Sequence, residues 1–360
     1  MKKKNLIAIC ASALLIAAAV TACGGSTSET TAQAETEAEA ADGEAGEAEA
    51  EGGEEAAADT IKVTFIATDT GLGDRSFNDS TWEGVQRAHD ELGVEISIIE
   101  PDSVADMGTA IMTAVQSGSD LILGFGGSWA DPLSEYCDRF PDVYFGGLNC
   151  NVTADNLQMA KTADHQGSFL AGALAATMTK TGTVACLGGQ DADNINRFIT
   201  GFEEGVKYVN PDVTVLKSYV GSYSDPALGK EYSLQLMNEG ADIIFHIAGG
   251  TGEGLFEAAR ENENLYAIGV DSDQDYIAEG KVLTSVVKNC GNIAYEMIES
   301  VLNGTFETGD KVYDLENGGV SLTDMTYTKD LIGEDTIAML DDLRQQIIDG
   351  EIVVTDLFEQ

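Results

Sequence analysis

A run of alternating acids, residues 271–275 (DSDQD), follows the apolar residues 265–270. A calcium loop starting at Asp271 would need Gly at its sixth position and Glu at its twelfth, where the chain has Tyr276 and Val282. We therefore predict no metal site. A carboxylate at the end of a strand can instead accept two hydrogen bonds from a vicinal diol, as sugars offer. Asp271 is thus a candidate for binding hydroxyl groups.

A loop with two glycines, residues 69–79 (DTGLGDRSFND), follows the first apolar segment. Glycines permit a sharp turn, and Ser76, Asn78, Asp79 or Ser80 can cap the helix expected next. Phe77 is a large aromatic residue in this polar loop. It either packs against that helix or offers a stacking surface to a ligand, and the residues alone leave both interpretations open.

A second glycine-rich loop, residues 248–254 (AGGTGEG), follows another apolar segment. Glycines at the start of a helix allow backbone N–H groups to approach a ligand oxygen closely. The loop lacks the GK[ST] of a phosphate loop and the GxGxxG of a dinucleotide site. We expect a ligand-binding loop and no cofactor.

Catalytic motifs are missing from the sequence. The sequence has no GxSxG and no HExxH motif. None of the three histidines, His89, His165 and His246, belongs to a Cys–His pattern. His246 is as consistent with a core histidine as with a cleft residue. We therefore predict a binding protein and not an enzyme.

Four cysteines are scattered over the second part of the chain without a CxxC pair. Buried thiols and one or two disulfides both fit this pattern. We favour buried thiols because Cys186 lies within a predicted strand, and free cysteines are commonly buried. The four residues are Cys137, Cys150, Cys186 and Cys290.

Short apolar runs alternate with amphipathic stretches from residue 61 onward, and the pattern restarts after residue 182. Strands alternating with helices predict βαβ units and mostly parallel sheets. The fold class is therefore α/β, with two doubly wound, Rossmann-like lobes whose ligand site lies at the carboxyl ends of the strands. We assign residues 60–180 to lobe 1, residues 181–287 to lobe 2, and residues 288–360 to a crossover back to lobe 1 with C-terminal elements. Those include a helix at 337–348 and a last strand at 351–355.

The first 59 residues read as an export signal and a tether. Three lysines precede an apolar run too short to span a membrane, which is typical of a secretory signal at residues 1–22. Small residues before Cys23 look like a bacterial lipobox, so we predict a lipidated (palmitate-bearing) Cys23. Residues 24–59 hold twelve acids and no Lys or Arg. We predict that residues 23–59 form a disordered tether on the outer face of the cell membrane.

The remainder of the chain is strongly acidic. Residues 60–360 carry a net charge of −34, since twelve of the 62 acids and three of the 19 bases precede them. A negative surface repels nucleic acid and anionic lipid head groups. We therefore expect no nucleic-acid partner.

Five motifs in order resemble the basic membrane protein family of bacterial lipoproteins, whose best-known members bind purine nucleosides for ABC importers. They are residues 74–78 (DRSFN) with 82–84 (WEG), 167–172 (GSFLAG), 221–226 (GSYSDP), 248–252 (AGGTG) and 268–274 (IGVDSDQ). The resemblance implies two lobes of the type I periplasmic-binding-protein fold, a monomer, and an ABC permease as partner.

The resemblance also implies roles for single residues. The base would lie between Phe77 and Tyr223, while Asp271 and Lys288 would bind the ribose. The remaining ligand-binding residues that we predict are Asp69, Asn78, Asn149, Gly249 and Gly250. Relatives commonly carry Asp where this chain has Asn149, and an amide both donates and accepts whereas an ionised carboxylate only accepts. The resemblance therefore implies a nucleoside but weakens the purine preference.

Other functions remain open at this stage. A sugar or signal-molecule receptor with the same fold would keep Asp271 but would not need two aromatic rings. A surface signalling protein would need no transporter, and a nucleoside hydrolase would release free base.

Overall fold

Twelve β-strands and ten α-helices alternate along residues 60–359, the part of the chain that the computed structural model describes. The strands are β1 (Lys62–Ile66), β2 (Glu95–Ile99), β3 (Leu121–Phe125), β4 (Tyr144–Leu148), β5 (Leu157–Thr162), β6 (Thr183–Gly188), β7 (Thr214–Tyr219), β8 (Ile243–Ile247), β9 (Tyr266–Asp271), β10 (Val282–Lys288), β11 (Gly309–Tyr313) and β12 (Val320–Leu322). The helices are α1 (Phe77–Leu92), α2 (Met107–Gln116), α3 (Ala130–Tyr136), α4 (Asp164–Met178), α5 (Asp193–Val209), α6 (Pro226–Asn238), α7 (Glu253–Glu261), α8 (Cys290–Leu302), α9 (Lys329–Ile332) and α10 (Glu334–Ile348). The predicted signal, Cys23 and the tether lie outside the described residues.

The strands form two six-stranded sheets, which define the two lobes. The sheet of the first lobe has the order β11-β5-β4-β3-β1-β2, and that of the second lobe has β12-β10-β9-β8-β6-β7. All the pairings are parallel except that between β10 and β12. This arrangement confirms the predicted fold class.

Alternate residues of the central strands pack on opposite faces of each sheet. In β3, Leu121 and Leu123 join one hydrophobic cluster of the first lobe, and Ile122 joins the other. Because helices cover both faces, β3 and β8 are fully buried, which explains their continuous apolar sequences. The core therefore fixes the strand ends at which the loops of the site begin.

Glycines let two helix pairs approach closely. A Cβ on Gly205 of α5 would lie 1.9 Å from the carbonyl oxygen of Phe169 in α4. A Cβ on Gly84 of α1 would lie 2.0 Å from the carbonyl oxygen of Gly291 in α8. Real Cβ atoms do not come this close, so these positions require glycine. The small-residue pattern of 167–172 thus serves helix packing.

The chain crosses between the lobes at three adjacent places, which we call the hinge: residues 162–164, 288–290 and 313–320. The segments hydrogen-bond to one another, from Ala163 N to Tyr313 O (2.7 Å) and from Asn289 N to Gly319 O (3.0 Å). Helix α4 packs against α5 of the second lobe, so the first crossing precedes it. We predicted the end of lobe 1 at residue 180, which is after α4. The chain in fact leaves the first lobe before α4, at residues 162–164.

One further expectation differs from the structure. Residues 351–355 form no strand, because the segment runs along α5, where Thr355 N donates to Glu204 Oε2 (2.9 Å) and Asp356 binds Arg197. The prediction for the cysteines is confirmed: Cys137, Cys150, Cys186 and Cys290 are all free and buried. Within residues 60–359, no helix is long and apolar enough to cross a membrane.

Candidate solute-binding site

The loop between β1 and α1 is shaped by a residue that the sequence analysis did not single out, Asp74. Its carboxylate accepts hydrogen bonds from the backbone N–H groups of Ser76 (3.0 Å), Asn78 (2.9 Å) and Asp79 (3.2 Å). These are the otherwise unpaired donors of the first helical turn. Asp74 therefore caps α1, and none of the four predicted candidates does so.

Asn78 is buried and its side chain bonds within the first lobe. Its Oδ1 accepts from Thr68 N (3.0 Å), and its Nδ2 donates to the hydroxyls of Thr68 (2.9 Å) and Thr70 (3.0 Å). These bonds tie the start of α1 to the end of β1. The structure places Asn78 behind the loop, where its polar atoms position neighbouring residues.

Phe77 and Tyr223 lie in different lobes, each half-buried at the carboxyl end of its sheet. The Lys288 Nζ lies 5.7 Å from the centre of the Phe77 ring. The Tyr223 ring packs on Gly189, where a Cβ would come within 2.2 Å of it. Burial, together with the charges of Asp271 and Asp69, raises the pKa of Tyr223 to about 12. The Tyr223 hydroxyl therefore keeps its proton at neutral pH. Asp69 is exposed, and it lies close enough to Tyr223 for its charge to contribute to the raised pKa.

A buried ionic cluster lies beside these rings. Lys288 Nζ is 3.2 Å from Asp164 Oδ2, and the two side chains are 8% and 1% exposed. Although burial alone would lower the pKa of Lys288, Asp164 and Asp271 outweigh it and raise that pKa. Burial raises the pKa of Asp271, against the opposing effects of Lys288 and Ser76. Lys288 is therefore a cation that pairs with Asp164 and is further stabilised by the charge of Asp271.

Asn149 adopts a left-handed backbone (φ +51°), as Asn does more readily than most residues. Its Nδ2 donates to Thr162 Oγ1 (2.7 Å) and Asp164 Oδ2 (2.8 Å), and its Oδ1 accepts from Thr162 N (2.9 Å). Both N–H bonds of the amide are used, so only one lone pair of Oδ1 remains for a solute. Asn149 thus orients Asp164.

Replacing Asn149 by Asp should make the stability of the protein depend on pH. Two carboxylates would face each other at the present 2.8 Å contact, so the pair would hold a proton up to a raised pKa. The folded state would then bind more protons than the unfolded state, and stability would fall as pH rises. We expect urea denaturation to show about 1–3 kcal/mol less stability at pH 8 than at pH 5, relative to wild type. Asn149→Ala, which adds no carboxylate, should show no such difference, and an equal difference there would contradict the explanation.

The glycine-rich loop after β8 approaches the first lobe. Gly249 has a φ of +51°, and a Cβ on Gly250 would lie 3.7 Å from Asp74 Cα. Tyr223 O accepts a hydrogen bond from Thr251 N (3.0 Å), which joins this loop to the Tyr223 loop. A pocket of about 150 Å³ opens here, lined by both lobes: Thr70, Leu72, Gly73, Asp74, Tyr223, Ser224, Pro226, Gly250 and Glu253.

His246 lies beneath this loop and is fully buried. Its Nε2 lies 2.9 Å from Gln274 Oε1, and a Cβ on Gly252 would overlap its ring. Burial lowers the pKa of His246 to about 4, so the ring is neutral at pH 7. Of the two interpretations of this histidine, the core one is correct.

Sequence reasoning missed two further residues of the ionic cluster, Asp164 and Arg197. Arg197 is 3% exposed, and its NH1 donates to Thr162 O and lies 3.6 Å from Asp164 Oδ2. A usable signal existed for Asp164, because it follows a strand directly, as Asp271 ends one. Arg197 lies in the first turns of α5 and gave no comparable signal.

Comparison with known proteins identifies the family of the chain. Residues 61–357 match the model of the Bmp family, described as ABC transporter substrate-binding protein PnrA-like. The chain belongs to this family. It is 33% identical to the ABC transporter nucleoside-binding protein BmpA of Lactococcus lactis, over 82% of this chain and 89% of that one. It is 30% identical to an uncharacterized lipoprotein of Pyrococcus abyssi, over 75% and 70%.

A solved structure supports the same assignment. An ABC transporter solute-binding protein from Aeropyrum pernix superposes with a TM-score of 0.78 at 27% identity, covering 82% of this chain and 93% of that one. The predicted resemblance to the basic membrane protein family is thus confirmed. The protein is an extracytoplasmic solute binder of an ABC transporter and not an enzyme.

Proposed function

We propose that the protein binds a nucleoside between its lobes and delivers it to an ABC importer. The observation that carries this proposal is the pair of aromatic residues, Phe77 and Tyr223, on opposite lobes beside the buried Asp271 and Lys288. A nucleoside has a flat base next to a diol, which matches both halves of the arrangement. The name of the Lactococcus relative points to the same class of solute.

The chemistry of the site suits a base and a ribose. Stacking on each aromatic ring contributes about 0.5–1.5 kcal/mol beyond the area buried. The Asp271 carboxylate accepts from the ribose hydroxyls and Lys288 donates to the same sugar, and each such charged hydrogen bond contributes about 1.5–3 kcal/mol. Tyr223 stays protonated, so its ring meets the base without an added negative charge.

The other predicted residues take supporting parts in this proposal. Backbone groups of Gly249 or Gly250 approach the solute, and exposed Asp69 accepts at its edge. Asn149 offers the remaining lone pair of Oδ1 and no free N–H, so it selects for a donor on the base. Asn78 acts through the loop that it holds in place.

The site experiment measures the melting temperature of residues 24–360 with a panel of nucleosides, free bases and pentoses. A solute that binds only the native state stabilises it by about 2.7 kcal/mol at a hundredfold of its Kd. We expect shifts with nucleosides that are lost in Asp271→Ala and Phe77→Ala and kept in Asp273→Ala, which removes an exposed neighbouring carboxylate. Shifts with pentoses alone would instead identify a sugar receptor. No shift from folded, ligand-free protein would refute the nucleoside proposal.

We also propose that Cys23 carries the lipid that holds the protein at the membrane. The lipobox-like residues before it and the lipoprotein name of the Pyrococcus relative support this. Cells fed labelled palmitate should label the wild-type chain and leave Cys23→Ser unlabelled. A labelled Cys23→Ser chain would refute the assignment.

A further inference from the structure

One carbonyl group of the first lobe makes direct contact with the second lobe, next to the Arg75–Glu253 ion pair (3.6 Å) that also joins the lobes. The carbonyl oxygen of Arg75 accepts hydrogen bonds from two side chains of the second lobe, Ser272 Oγ (2.8 Å) and Gln274 Nε2 (3.0 Å). Beside it, Ser76 Oγ donates to Asp271 Oδ2 (2.7 Å). We call Arg75, Ser272 and Gln274 the latch.

The first lobe presents this carbonyl in a fixed direction. Arg75 has a φ of +48°, in the left-handed region that non-glycine residues seldom adopt. Asp79 Oδ2 accepts from Arg75 N (2.9 Å), and Asp74 holds the next turn. Every one of these bonds lies within the first lobe. The unusual backbone is therefore built before the lobes meet, and it turns the Arg75 carbonyl toward the second lobe.

The second lobe prepares Gln274 in the same way. Gln274 is 1% exposed, and its Oε1 accepts from Val270 N (2.9 Å). Because this bond requires the oxygen at that position, the amide cannot be flipped and Nε2 must face Arg75. Oε1 also faces His246 Nε2, which must then carry the proton of the neutral ring. His246 and Val270 thus aim the amide from within one lobe.

Two prepared surfaces that complete each other's hydrogen bonds need no rearrangement in order to join. Without the contact, Arg75 O and Gln274 Nε2 would exchange this hydrogen bond for bonds with water, so the contact makes a modest net contribution to the closed form. We propose that Gln274 is a positioning residue for solute capture, which sets the population of the closed form by latching the Arg75 carbonyl. Ser272 adds the second bond, and Asp271 links the latch to the solute site. The latch does not depend on which solute binds.

The test uses Gln274→Glu, which keeps the shape and the acceptor oxygen but removes the N–H donor. Gln158→Glu is the matched control, since Gln158 is also buried and its Nε2 donates to a backbone carbonyl, that of Glu307 (2.7 Å), within the first lobe. Pulsed electron paramagnetic resonance measures the distance across the cleft between two nitroxide labels. The labels are attached at Asp102→Cys and Ala227→Cys, which are exposed positions near the strand ends of each lobe. The four native cysteines of residues 60–359 are buried and stay unlabelled in folded protein.

In residues 24–360 without solute, we expect a short-distance population in wild type and Gln158→Glu. That population, relative to the open form, should fall about tenfold in Gln274→Glu and by a smaller factor in Ser272→Ala. With inosine as the probe, dissociation from Gln274→Glu should be about tenfold faster, because one hydrogen bond of the closed state is missing. Identical distance distributions in wild type and Gln274→Glu, or an equal change in Gln158→Glu, would overturn the latch whether or not inosine binds.

Discussion

Replacing Lys288 by Met should abolish solute binding and lower the free energy of unfolding by about 3–5 kcal/mol. Met matches the length of the Lys stem, so the change removes mainly the charge. Asp164, which is 1% exposed, would lose a cation at 3.2 Å and keep Arg197 at 3.6 Å. A buried carboxylate that has lost the nearer of its two cations is costly. Urea denaturation and the thermal-shift panel measure the two effects separately.

Two further variants distinguish charge from packing. Asp164→Asn added to Lys288→Met removes the carboxylate that has lost its nearer cation, so it should recover part of the stability but none of the binding. Lys230→Met is the control, because Lys230 pairs with Glu257 and Glu261 on the surface, and such pairs contribute little. If Lys288→Met were as stable as Lys230→Met, the buried ionic cluster would have no structural role.

A second large effect is expected at Arg197, which joins the C-terminal segment to the hinge. Its Nε donates to Asp356 Oδ1 (2.6 Å), its NH2 donates to Asp356 Oδ2, and its NH1 donates to Thr162 O. Despite its burial, Asp356 has a lowered pKa because of the Arg197 hydrogen bonds. Arg197→Met should therefore cost about 3–5 kcal/mol of unfolding free energy and release the residues after α10.

Glu-C protease should then cut Arg197→Met faster at the exposed Glu351 than it cuts wild type. Arg197→Lys should recover only part of the loss, since an ammonium cannot bridge three acceptors in one plane. Arg139→Met is the surface control, as Arg139 is half exposed and pairs with Glu135 within α3 and its C-terminal turn. Unchanged cleavage at Glu351 in Arg197→Met would show that other contacts hold the segment.

The sequence predicted the elements more closely than it predicted their contacts. The apolar segment before the glycine-rich loop 248–254 forms strand β8, as the alternation predicted, because a continuous apolar run between polar segments has few alternatives. Helix α4 was harder to place, since its small residues leave no amphipathic face to show which lobe it packs on. The pairing of Asp356 with Arg197 joins residues 159 apart in the chain, and no local pattern indicates it.

The site residues show the same division. Asp271, Lys288, Phe77 and Tyr223, whose roles the family resemblance implied, all lie near the carboxyl ends of strands, the edge at which the alternation of strands and helices predicted a ligand site. The side-chain hydrogen bonds of Asn78 and Asn149 to other groups of the protein could not be predicted, because they depend on how separate loops approach one another. Asp74 was read as part of a family motif, while its capping role follows from the fold of the loop.

The position of the ionic cluster bears on how this protein could be adapted as a biosensor or evolved toward another solute. Asp164 and Lys288 stand at two of the three crossings of the hinge, and their side chains join those crossings. In the proposed site, a change made there to alter solute preference is expected to alter the resistance to lobe opening as well. Selectivity and release rate are therefore not independent traits at these positions. Engineers who want to change one without the other should work on Phe77 and Tyr223, which lie on separate lobes and outside the three crossing segments.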